Sequence, residues 1–307
     1  MKNSQTIQKF NRKHTLKPIL VLFIISLSLL FTCFIIQKTF VFANSKYYTP
    51  YTNGYGHSSP DEYKFDTYDD FMLDTIDGSG NQIHVWSIRH GQSIEHPTIL
   101  FFHGNRGNVG SSLPMIAMMY FKLNVNVVIF DYRGYGLSSG SPSEDNVYND
   151  TDTVWNYIKN NPALYDINNI FLYGRSLGGA IAFYLAEKMN SVIRGIIVEN
   201  TIYNAKFMVQ YTIPLVGHVI KHLMLSKFNN NIRIVNVTKP ILIFTCCQDK
   251  VVNCINSYKL YEHVEHRKNT CLVRVSRKDA KHTNLWRSSF SDNYFEIFKR
   301  FILYYKK

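Results

Sequence analysis

The alternation of short apolar runs with longer segments of helical periodicity constrains the fold of this 307-residue chain most strongly. Six runs, most of them rich in β-branched or aromatic residues, are predicted strands: Thr98 to Phe102, Val125 to Phe130, Ile170 to Tyr173, Ile193 to Val198, Ile241 to Thr245 and Cys271 to Val275. The segments with helical spacing are Pro114 to Lys122, Asp145 to Lys159, Leu177 to Lys188, Asn253 to His263 and Phe290 to Tyr305. This order predicts an α/β domain with a mostly parallel sheet that is covered by helices on both faces.

Two further strand-like segments precede this alternation. Phe71 to Ile76 and Gln82 to Ile88 are joined by Asp-Gly-Ser-Gly-Asn at 77–81, a composition that is typical of a turn. They predict an antiparallel hairpin at the start of the sheet. In such a fold, ligand chemistry is expected beyond the carboxyl ends of the parallel strands.

The predicted strand that begins at Ile170 runs into Gly-Arg-Ser-Leu-Gly-Gly at 174–179 and then directly into a helix. This is the G-x-S-x-G pattern, in which a turn too tight for most side chains presents a serine hydroxyl above the sheet. Gly174 and Gly178 are the flanking glycines, and Ser176 is the candidate nucleophile. The alternative interpretation is that Ser176 only caps the helix.

A serine hydroxyl needs a base to remove its proton and a carboxylate to orient that base. His282 lies between the last predicted strand and the final helix, and Asp249 follows the strand that ends at Thr245. The order serine, acid, base is the one expected for this motif. Three residues compete for these roles: His263 and His266 as the base, at the end of a helix where we expect the opposite edge of the sheet, and Glu199 as the acid.

Acyl transfer also needs donors for the oxyanion of the tetrahedral intermediate, each worth about 3 to 4 kcal/mol. The backbone N–H of Leu177, at the start of the helix, is one candidate. The second is the N–H of Asn105, in the loop after the third strand, where small Gly104 lets the backbone turn into the site. We expect His103 to pack against this loop and support it; the alternative is a role as a second base.

The other glycine patterns do not fit a cofactor site. Gly104, Gly107 and Gly110 lack the Gly-Lys-Ser/Thr ending of a phosphate loop, and Gly134 and Gly136 lack the third glycine of a dinucleotide fingerprint. The sequence also has neither an HExxH motif nor a paired CxxC motif. We therefore expect no cofactor and no metal.

The formal net charge of +12 is concentrated near the N-terminus. Residues 1–46 contain seven basic residues and no acidic one, which leaves 27 basic and 22 acidic residues for the other 261. A net charge of +5 without a dense basic stripe gives no electrostatic reason to expect nucleic-acid binding.

Residues 19–36 form an uncharged run of eighteen, mostly Ile, Leu, Val and Phe. As a helix the run would be about 27 Å long, close to the roughly 30 Å hydrocarbon thickness of a bilayer, and no small-x-small cleavage site follows it. We expect a basic tail at 1–17, a transmembrane signal-anchor at 18–37, a linker at 38–70 and the folded domain at 71–307. The positive-inside rule predicts a cytosolic N-terminus, because five basic residues precede the run and two follow it closely, and a lumenal or extracellular domain.

In that compartment the acceptor tripeptides at Asn149 and Asn236 would be available for N-glycosylation; chance occurrence in an Asn-rich chain is the alternative. Five cysteines are too few for a disulfide framework. Free thiols are the expectation and a single disulfide the alternative for four of them, namely Cys246, Cys247, Cys254 and Cys271.

Four segments together resemble the α/β-hydrolase superfamily and, within it, the membrane-anchored serine hydrolases of the α/β-hydrolase domain-containing protein 13 family. They are Phe-His-Gly-Asn at 102–105 with Gly-Asn at 107–108, Asp-Tyr-Arg-Gly-Tyr-Gly at 131–136, Gly-Arg-Ser-Leu-Gly-Gly at 174–179 and Val-Glu-Asn-Thr at 198–201. The resemblance covers residues 71–305 and the preceding span. It implies a triad of Ser176, Asp249 and His282, and a structural role for the segment that contains Glu199.

These features predict a serine hydrolase that cleaves an ester, thioester or lipid acyl bond through an acyl-enzyme intermediate. Its expected partners are an acylated small-molecule, lipid or protein substrate and a lipid bilayer, but no nucleic acid. The apolar stretch Ile213 to Leu225 is a candidate cover for an acyl chain, with an ordinary packing helix as the alternative. The competing hypothesis is a catalytically silent membrane scaffold, because the loop after His282 departs from the family pattern.

Overall fold

Eight strands form one sheet in the computed structural model, which describes residues 18–28, 31, 41–42, 59–212, 217–222, 224, 226–264 and 267–306. The strands are β1 (Thr67–Asp74), β2 (Gln82–Arg89), β3 (Thr98–Phe102), β4 (Asn126–Phe130), β5 (Ile170–Arg175), β6 (Gly195–Glu199), β7 (Ile241–Cys246) and β8 (Thr270–Val275). They lie in the order β1-β2-β4-β3-β5-β6-β7-β8. β2 is antiparallel to both β1 and β4, and every other neighbouring pair is parallel.

Helices pack on both faces of this sheet. Residues 18–28 are helical and are called α1. The other helices are α2 (Val109–Leu123), α3 (Glu144–Asn160), α4 (Leu177–Lys188), α5 (Ala205–Thr212), α6 (Gly217–Ile220), α7 (Asn230–Asn236), α8 (Ile255–Glu262) and α9 (Ser291–Tyr305). α2 and α9 contribute to the apolar core on one face, and α3 and α4 contribute to the core on the other.

The central strands are mostly apolar because both of their faces are covered. Along β3, Ile99 and Phe101 belong to one core, and Leu100 and Phe102 belong to the other. All five residues of β3 are buried. Since successive strand residues point to opposite faces, a strand between two cores reads as a continuous apolar run.

The order of the strands places a crevice between β3 and β5. The crossover through α2 leads from β3 to β4 on one side, and the next crossover, through α3, passes back to β5 on the other side of β3. Ligands of open α/β sheets bind at such a switch point, beyond the carboxyl ends of the strands. The loops that follow Phe102 and Arg175 both begin there.

The predicted fold class is confirmed for the folded domain, with an antiparallel start and a mostly parallel remainder. The first strand begins earlier than predicted, at Thr67 instead of Phe71, because it pairs with β2 along its full length, from Thr67 opposite Arg89 to Asp74 opposite Gln82. α2 also begins five residues before the predicted Pro114. Asn108 sets this start by accepting a hydrogen bond from the Ser111 N–H at 3.0 Å. Both differences have the same cause: the pairing strand of β1 and the capping residue of α2 lie outside the segments whose periodicity predicted these elements.

The segment predicted to be a transmembrane anchor, residues 18–37, is partly described. α1 exposes its apolar side chains, with Leu22 and Phe23 each more than three-fifths exposed. No helix within the described residues is both long enough and apolar enough to cross a bilayer. Residues 29–30 and 32–37 of the predicted anchor lie outside the described residues.

Residues 201–239, between β6 and β7, leave the sheet and contain the short helices α5, α6 and α7; we call them the cap. Within the cap, the Asn230 side chain donates to the carbonyl of Ile202 at 2.8 Å. The cap is also fastened to α3, because the Glu144 carboxylate accepts the backbone N–H groups of Lys227 at 2.5 Å and Phe228 at 2.9 Å.

Candidate active site

Ser176 occupies the turn between β5 and α4, with φ 56° and ψ −120°. A non-glycine residue with positive φ is strained, and such strain persists only where the surroundings impose it. The Ser176 side chain makes no capping hydrogen bond to α4. The structure therefore does not have the helix cap that was the alternative interpretation of this serine.

Three glycines allow this turn because their neighbours leave no space for a Cβ atom. A Cβ at Gly174 would overlap the carbonyl of Gly178, and a Cβ at Gly178 would overlap the carbonyl oxygen of Phe102. A Cβ at Gly179 would overlap the Thr201 hydroxyl. The absence of these side chains lets β3, β5, α4 and the segment after β6 meet around one serine.

The backbone of the turn is fastened on both sides of the serine. The Ser176 N–H donates to the carbonyl of Glu199 at 2.9 Å, and the Thr201 hydroxyl donates to the carbonyl of Ser176 at 2.8 Å. Both partners belong to the end of β6 or the residues directly after it. These bonds fix the strained conformation that projects the side chain away from the sheet.

A histidine and an aspartate are paired at the carboxyl end of β7. Nδ1 of His282 lies 2.6 Å from Oδ2 of Asp249, whose side chain is fully buried. The other oxygen, Oδ1, accepts the N–H groups of Val251 at 2.7 Å and Val252 at 3.0 Å. Among the described residues, Nε2 of His282 has no hydrogen-bond partner. The carboxylate thus fixes the ring and leaves Nε2 as the nitrogen that can accept a proton.

Two side chains hold the His282 loop beside the serine turn. Asn200 donates to the carbonyl of His282 at 2.9 Å, while its own carbonyl oxygen accepts the N–H of Cys246 at 2.8 Å. Arg175, which directly precedes the serine, donates to the carbonyl of Thr283 at 3.3 Å. The base and the nucleophile are therefore connected through residues adjacent to each of them.

The loop after β3 approaches the same serine. A Cβ placed on Gly104 would lie 3.7 Å from the Cβ of Ser176, which is ordinary van der Waals contact. Tyrosine hydroxyls hold this loop: Tyr132 donates to the carbonyl of His103 at 2.8 Å, and Tyr135 donates to the carbonyl of Asn105 at 3.2 Å. The loop that carries the predicted second oxyanion donor is therefore in contact with the serine turn.

His103 is a buried residue of this loop, with 1% of its surface exposed. Its Nδ1 lies 2.7 Å from the carbonyl oxygen of Gly104, and its ring stacks on Tyr132 with centroids 4.0 Å apart. Burial lowers the pKa of His103, so the neutral form is favoured. These contacts are those of a residue that supports the loop.

An apolar pocket opens beside Ser176. Asn105 and Ser176 are its two polar lining residues within the described part of the chain. The apolar lining comes from three places: Leu177 in α4, the segment just after the predicted anchor, and the cap. The cap residues are Ile202, Ala205, Met208, Val209, Met224 and Phe228, and the remaining residue is Val41.

Comparison with known proteins places this arrangement in a family. Residues 94–236 match the family model described as serine aminopeptidase, S33. The α/β-hydrolase domain-containing protein WAV2 of Arabidopsis thaliana is 30% identical over 232 residues, which cover 72% of this chain and 74% of that protein. The chain belongs to the α/β-hydrolase superfamily. These comparisons also support a hydrolase.

Other α/β-hydrolase relatives match over different lengths. Protein bem46 of Schizosaccharomyces pombe is 37% identical over 157 residues, so the match spans about half of each chain, 51% of this one and 52% of bem46. An esterase of Pyrococcus furiosus, Pf2001, superposes with a TM-score of 0.66 at 20% identity, covering 80% of this chain and 95% of that one. An esterase of Pyrobaculum calidifontis gives a TM-score of 0.62 at 14% identity over 78% and 86%. At such identities the solved structures show the fold alone.

Within this α/β-hydrolase domain, the competing acid has different partners. Glu199 is fully buried and accepts hydrogen bonds from the hydroxyls of Tyr173 at 2.9 Å and Tyr294 at 2.8 Å. Burial raises the pKa of Glu199. The carboxylate that is hydrogen-bonded to His282 is that of Asp249.

Of the two competing histidines, His263 does not contact Asp249 or Ser176. His263 is exposed, at the end of α8, and its Nε2 lies 2.9 Å from the hydroxyl of Tyr203. His266 lies outside the described residues. The four cysteines of the hydrolase domain, Cys246, Cys247, Cys254 and Cys271, have free thiols.

Sequence reasoning missed three contributors to the α/β-hydrolase site. Asn200 and Arg175 position the His282 loop, and Val41 lines the pocket. Arg175 ends β5 and Asn200 directly follows β6, and each lies two residues after the end of the predicted strand, so the sequence placed both near the carboxyl edge of the sheet. The predicted cover, Ile213 to Leu225, contributes Met224 to the lining, whereas residues 213–216, 223 and 225 lie outside the described residues.

Proposed function

We propose that this protein is a membrane-anchored serine hydrolase that cleaves an ester, thioester or lipid acyl bond through an acyl-enzyme intermediate. The observation that carries the proposal is the strained Ser176 in the wall of an apolar pocket, with its turn tied to the loop of a histidine whose Nδ1 is held by a buried aspartate. Strain of this kind at a pocket wall is typical of a functional residue.

In the first half-reaction, the Ser176 hydroxyl attacks the carbonyl carbon of the substrate while Nε2 of His282 accepts its proton. Asp249 stabilises the imidazolium that results. The carbonyl oxygen becomes an oxyanion, for which the N–H groups of Leu177 and Asn105 are the proposed donors. The tetrahedral intermediate collapses by breaking the bond to the leaving group, which takes the proton from His282.

In the second half-reaction, water replaces the leaving group. His282 accepts a proton from the water as its oxygen attacks the acyl-enzyme carbonyl, and then returns that proton to the Ser176 oxygen as the acyl bond breaks. The carboxylic acid leaves and the free enzyme is restored. Each proton thus passes through Nε2 of His282, the ring nitrogen without a partner among the described residues.

The test is labelling of the full-length protein with a fluorophosphonate probe, which reacts with an activated serine. We expect the wild-type protein to be labelled and Ser176→Ala to lose the label completely. Ser191→Ala is the matched control, because Ser191 is an exposed serine at a distance in sequence from the site, and it should be labelled like the wild type. Equal labelling of Ser176→Ala and wild type, or no labelling of either, would favour the catalytically silent scaffold.

Membrane anchoring is the second part of the proposal. Its support is the uncharged run at 19–36 and the exposure of the apolar side chains of α1. With the N-terminus in the cytosol, the hydrolase domain is lumenal or extracellular. Protease digestion of sealed microsomes tests this orientation: a C-terminal tag should be protected, and its digestion from the cytosolic side would reverse the topology.

A lumenal hydrolase domain also predicts which acceptor site is glycosylated. Asn236 is exposed at the end of α7, and Thr238 of its tripeptide is exposed too. Asn149 lies within α3, and Thr151 of its tripeptide is completely buried. We expect Asn236→Gln, but not Asn149→Gln, to abolish a glycosidase-sensitive mobility shift. A shift that depends on Asn149 would contradict this assignment.

A further inference from the structure

The pocket beside Ser176 has one wall from outside the hydrolase domain. Val41 lines the pocket, although it lies only four residues after the predicted anchor at 18–37. The next residue, Phe42, is 5% exposed and belongs to the apolar core that contains β3 and α4. The segment that leaves the predicted membrane span is therefore packed into the substrate pocket.

Phe42 has aromatic contacts that hold this segment in place. Its ring centroid lies 6.1 Å from that of Phe228, which is fully buried in the cap. Phe228 in turn lies 6.0 Å from the ring of Tyr148 in α3. Burial of a phenylalanine side chain is strongly favourable, so Phe42 fixes its neighbour Val41 against the cap.

We propose that residues 41–42 form a wall of an acyl-chain pocket and that Val41 limits the length of the aliphatic acyl group that Ser176 accepts. This inference rests on the proposed function. The ligand class follows from the lining: beyond Asn105 and Ser176, the pocket offers apolar side chains, so a charged acyl group would lose its hydration without gaining a partner.

The position of Val41 also brings the pocket close to the proposed membrane surface. Four residues of fully extended chain span at most about 14 Å. The wall therefore lies within that distance of the end of the predicted anchor at residue 37. A substrate whose acyl chain is embedded in the bilayer would meet this pocket near the point where the protein itself leaves the membrane.

The experiment compares chain-length profiles of full-length protein in detergent. kcat/KM is measured for p-nitrophenyl acetate, butyrate, octanoate and decanoate with the wild type and three variants. Val41→Trp places a larger side chain in the pocket. Phe42→Ala removes the ring that packs this segment against Phe228. Leu303→Trp is the matched control, because Leu303 is an apolar residue of α9 that is 50% exposed and does not line the pocket.

We expect Val41→Trp to lower the ratio of octanoate to acetate hydrolysis by about tenfold or more, since one misfitted methylene in an apolar pocket already changes discrimination by that order. Phe42→Ala should shift the ratio in the opposite direction, towards decanoate. Leu303→Trp should keep the wild-type profile. An unchanged profile in both Val41→Trp and Phe42→Ala, with Ser176 still active, would overturn the inference.

A binding experiment separates this inference from the proposed function. Because binding needs no catalysis, the Ser176→Ala variant is used. It is photolysed with a decanoic acid that carries a terminal diazirine, and the crosslinked peptide is identified by mass spectrometry. Crosslinks to the peptide that contains Val41 support the wall even if the fluorophosphonate test fails. Crosslinks confined to other peptides overturn the inference even if Ser176 proves to be the nucleophile.

Discussion

Two of the histidine–aspartate pairs among the described residues, His84–Asp131 and His282–Asp249, differ in the surroundings of the imidazole. In both pairs the aspartate follows a parallel strand: Asp131 directly follows β4, and Asp249 is the third residue after β7. His84 uses both of its ring nitrogens, with Nδ1 3.2 Å from Asp131 and Nε2 2.7 Å from Asp70. His282 uses Nδ1 for Asp249 and, within the described residues, leaves Nε2 without a partner.

A histidine–aspartate pair is therefore not by itself evidence of catalysis. The His84 side chain is 1% exposed and that of His282 is 13% exposed. A base needs one ring nitrogen to be held and the other to be free and accessible. In the pair at β4 both ring nitrogens of His84 are held by carboxylates and neither is free. This pair is therefore a structural link between β1, β2 and β4.

The largest expected effect separates the two histidines by turnover. His282→Gln should lower kcat by about 10⁴- to 10⁶-fold, because the acceptor of the Ser176 proton is removed. His84→Gln, measured in parallel on the same ester, should retain kcat within about tenfold. Comparable losses of kcat in both folded variants would contradict the assignment of His282 as the base and of His84 as a structural residue.

The two aspartates should differ in the same way. Asp249→Asn keeps the size of the side chain but supports the wrong tautomer of His282, and a loss of about 10⁴-fold in kcat is expected. Asp131→Asn weakens the bonds to His84 and to the N–H of Val109, which lies 2.9 Å from Oδ1. Its main effect should be a loss of about 1 to 3 kcal/mol in unfolding free energy. As a control, kcat and the free energy of unfolding are measured for both variants. A large loss of kcat in Asp131→Asn would contradict a purely structural role for Asp131.

The position of the Ser176 hydroxyl beside the His282 loop depends on the glycines of the turn. Gly178→Ala would drive its methyl group into the Phe102 carbonyl oxygen, and a loss of about 1 to 3 kcal/mol or more in stability is expected. Gly104→Ala is the matched control, since its nearest contacts at 3.7 Å leave room for a methyl group. Thermal unfolding of the full chain in detergent measures both, and equal stabilities would refute the steric account of the turn.

The smallest expected effect is a pH dependence from His84. Burial opposes the charged ring, but the hydrogen bonds and charges of Asp131 and Asp70 outweigh it and raise the pKa of His84 above its usual 6.5. A raised pKa in the folded state means that the stabilisation is fully present below about pH 6.5 and is lost as the pH rises through the folded value. The slope cannot exceed about 1.4 kcal/mol per pH unit for one proton.

Thermal unfolding of wild type and His84→Gln from pH 6 upwards measures this contribution. The difference between the two proteins should shrink as the pH rises, because His84 then loses its proton in the folded wild type as well. Other titrating groups are common to both proteins and cancel in the difference. A difference that is constant with pH would show that His84 is not protonated in the folded state.

The elements of the fold and the serine turn were predictable because their signals are local. β5, Ser176 and α4 follow one another without an insertion, so the whole serine turn is contained in one short stretch of sequence. The strand runs were equally legible, since a strand buried on both faces must be apolar throughout. The predicted bounds of α4, from Leu177 to Lys188, match the structure.

What the sequence did not predict depends on partners that are distant along the chain. Asn200 contacts a carbonyl 82 residues away, at His282; its position after a predicted strand indicates the edge of the sheet but not that partner. The start of β1 follows from its partner β2, not from its own periodicity. The pocket wall at Val41 is the extreme case, because the sequence assigned this residue to the linker at 38–70.

The attachment of the cap to α3 also positions one wall of the pocket beside Ser176. Glu144 accepts two successive backbone N–H groups, those of Lys227 and Phe228, so this part of the cap is held to a helix that packs on the sheet. Phe228 itself lines the pocket. A substitution at Glu144 would therefore reshape the pocket from a distance, without any change to Ser176, His282 or Asp249.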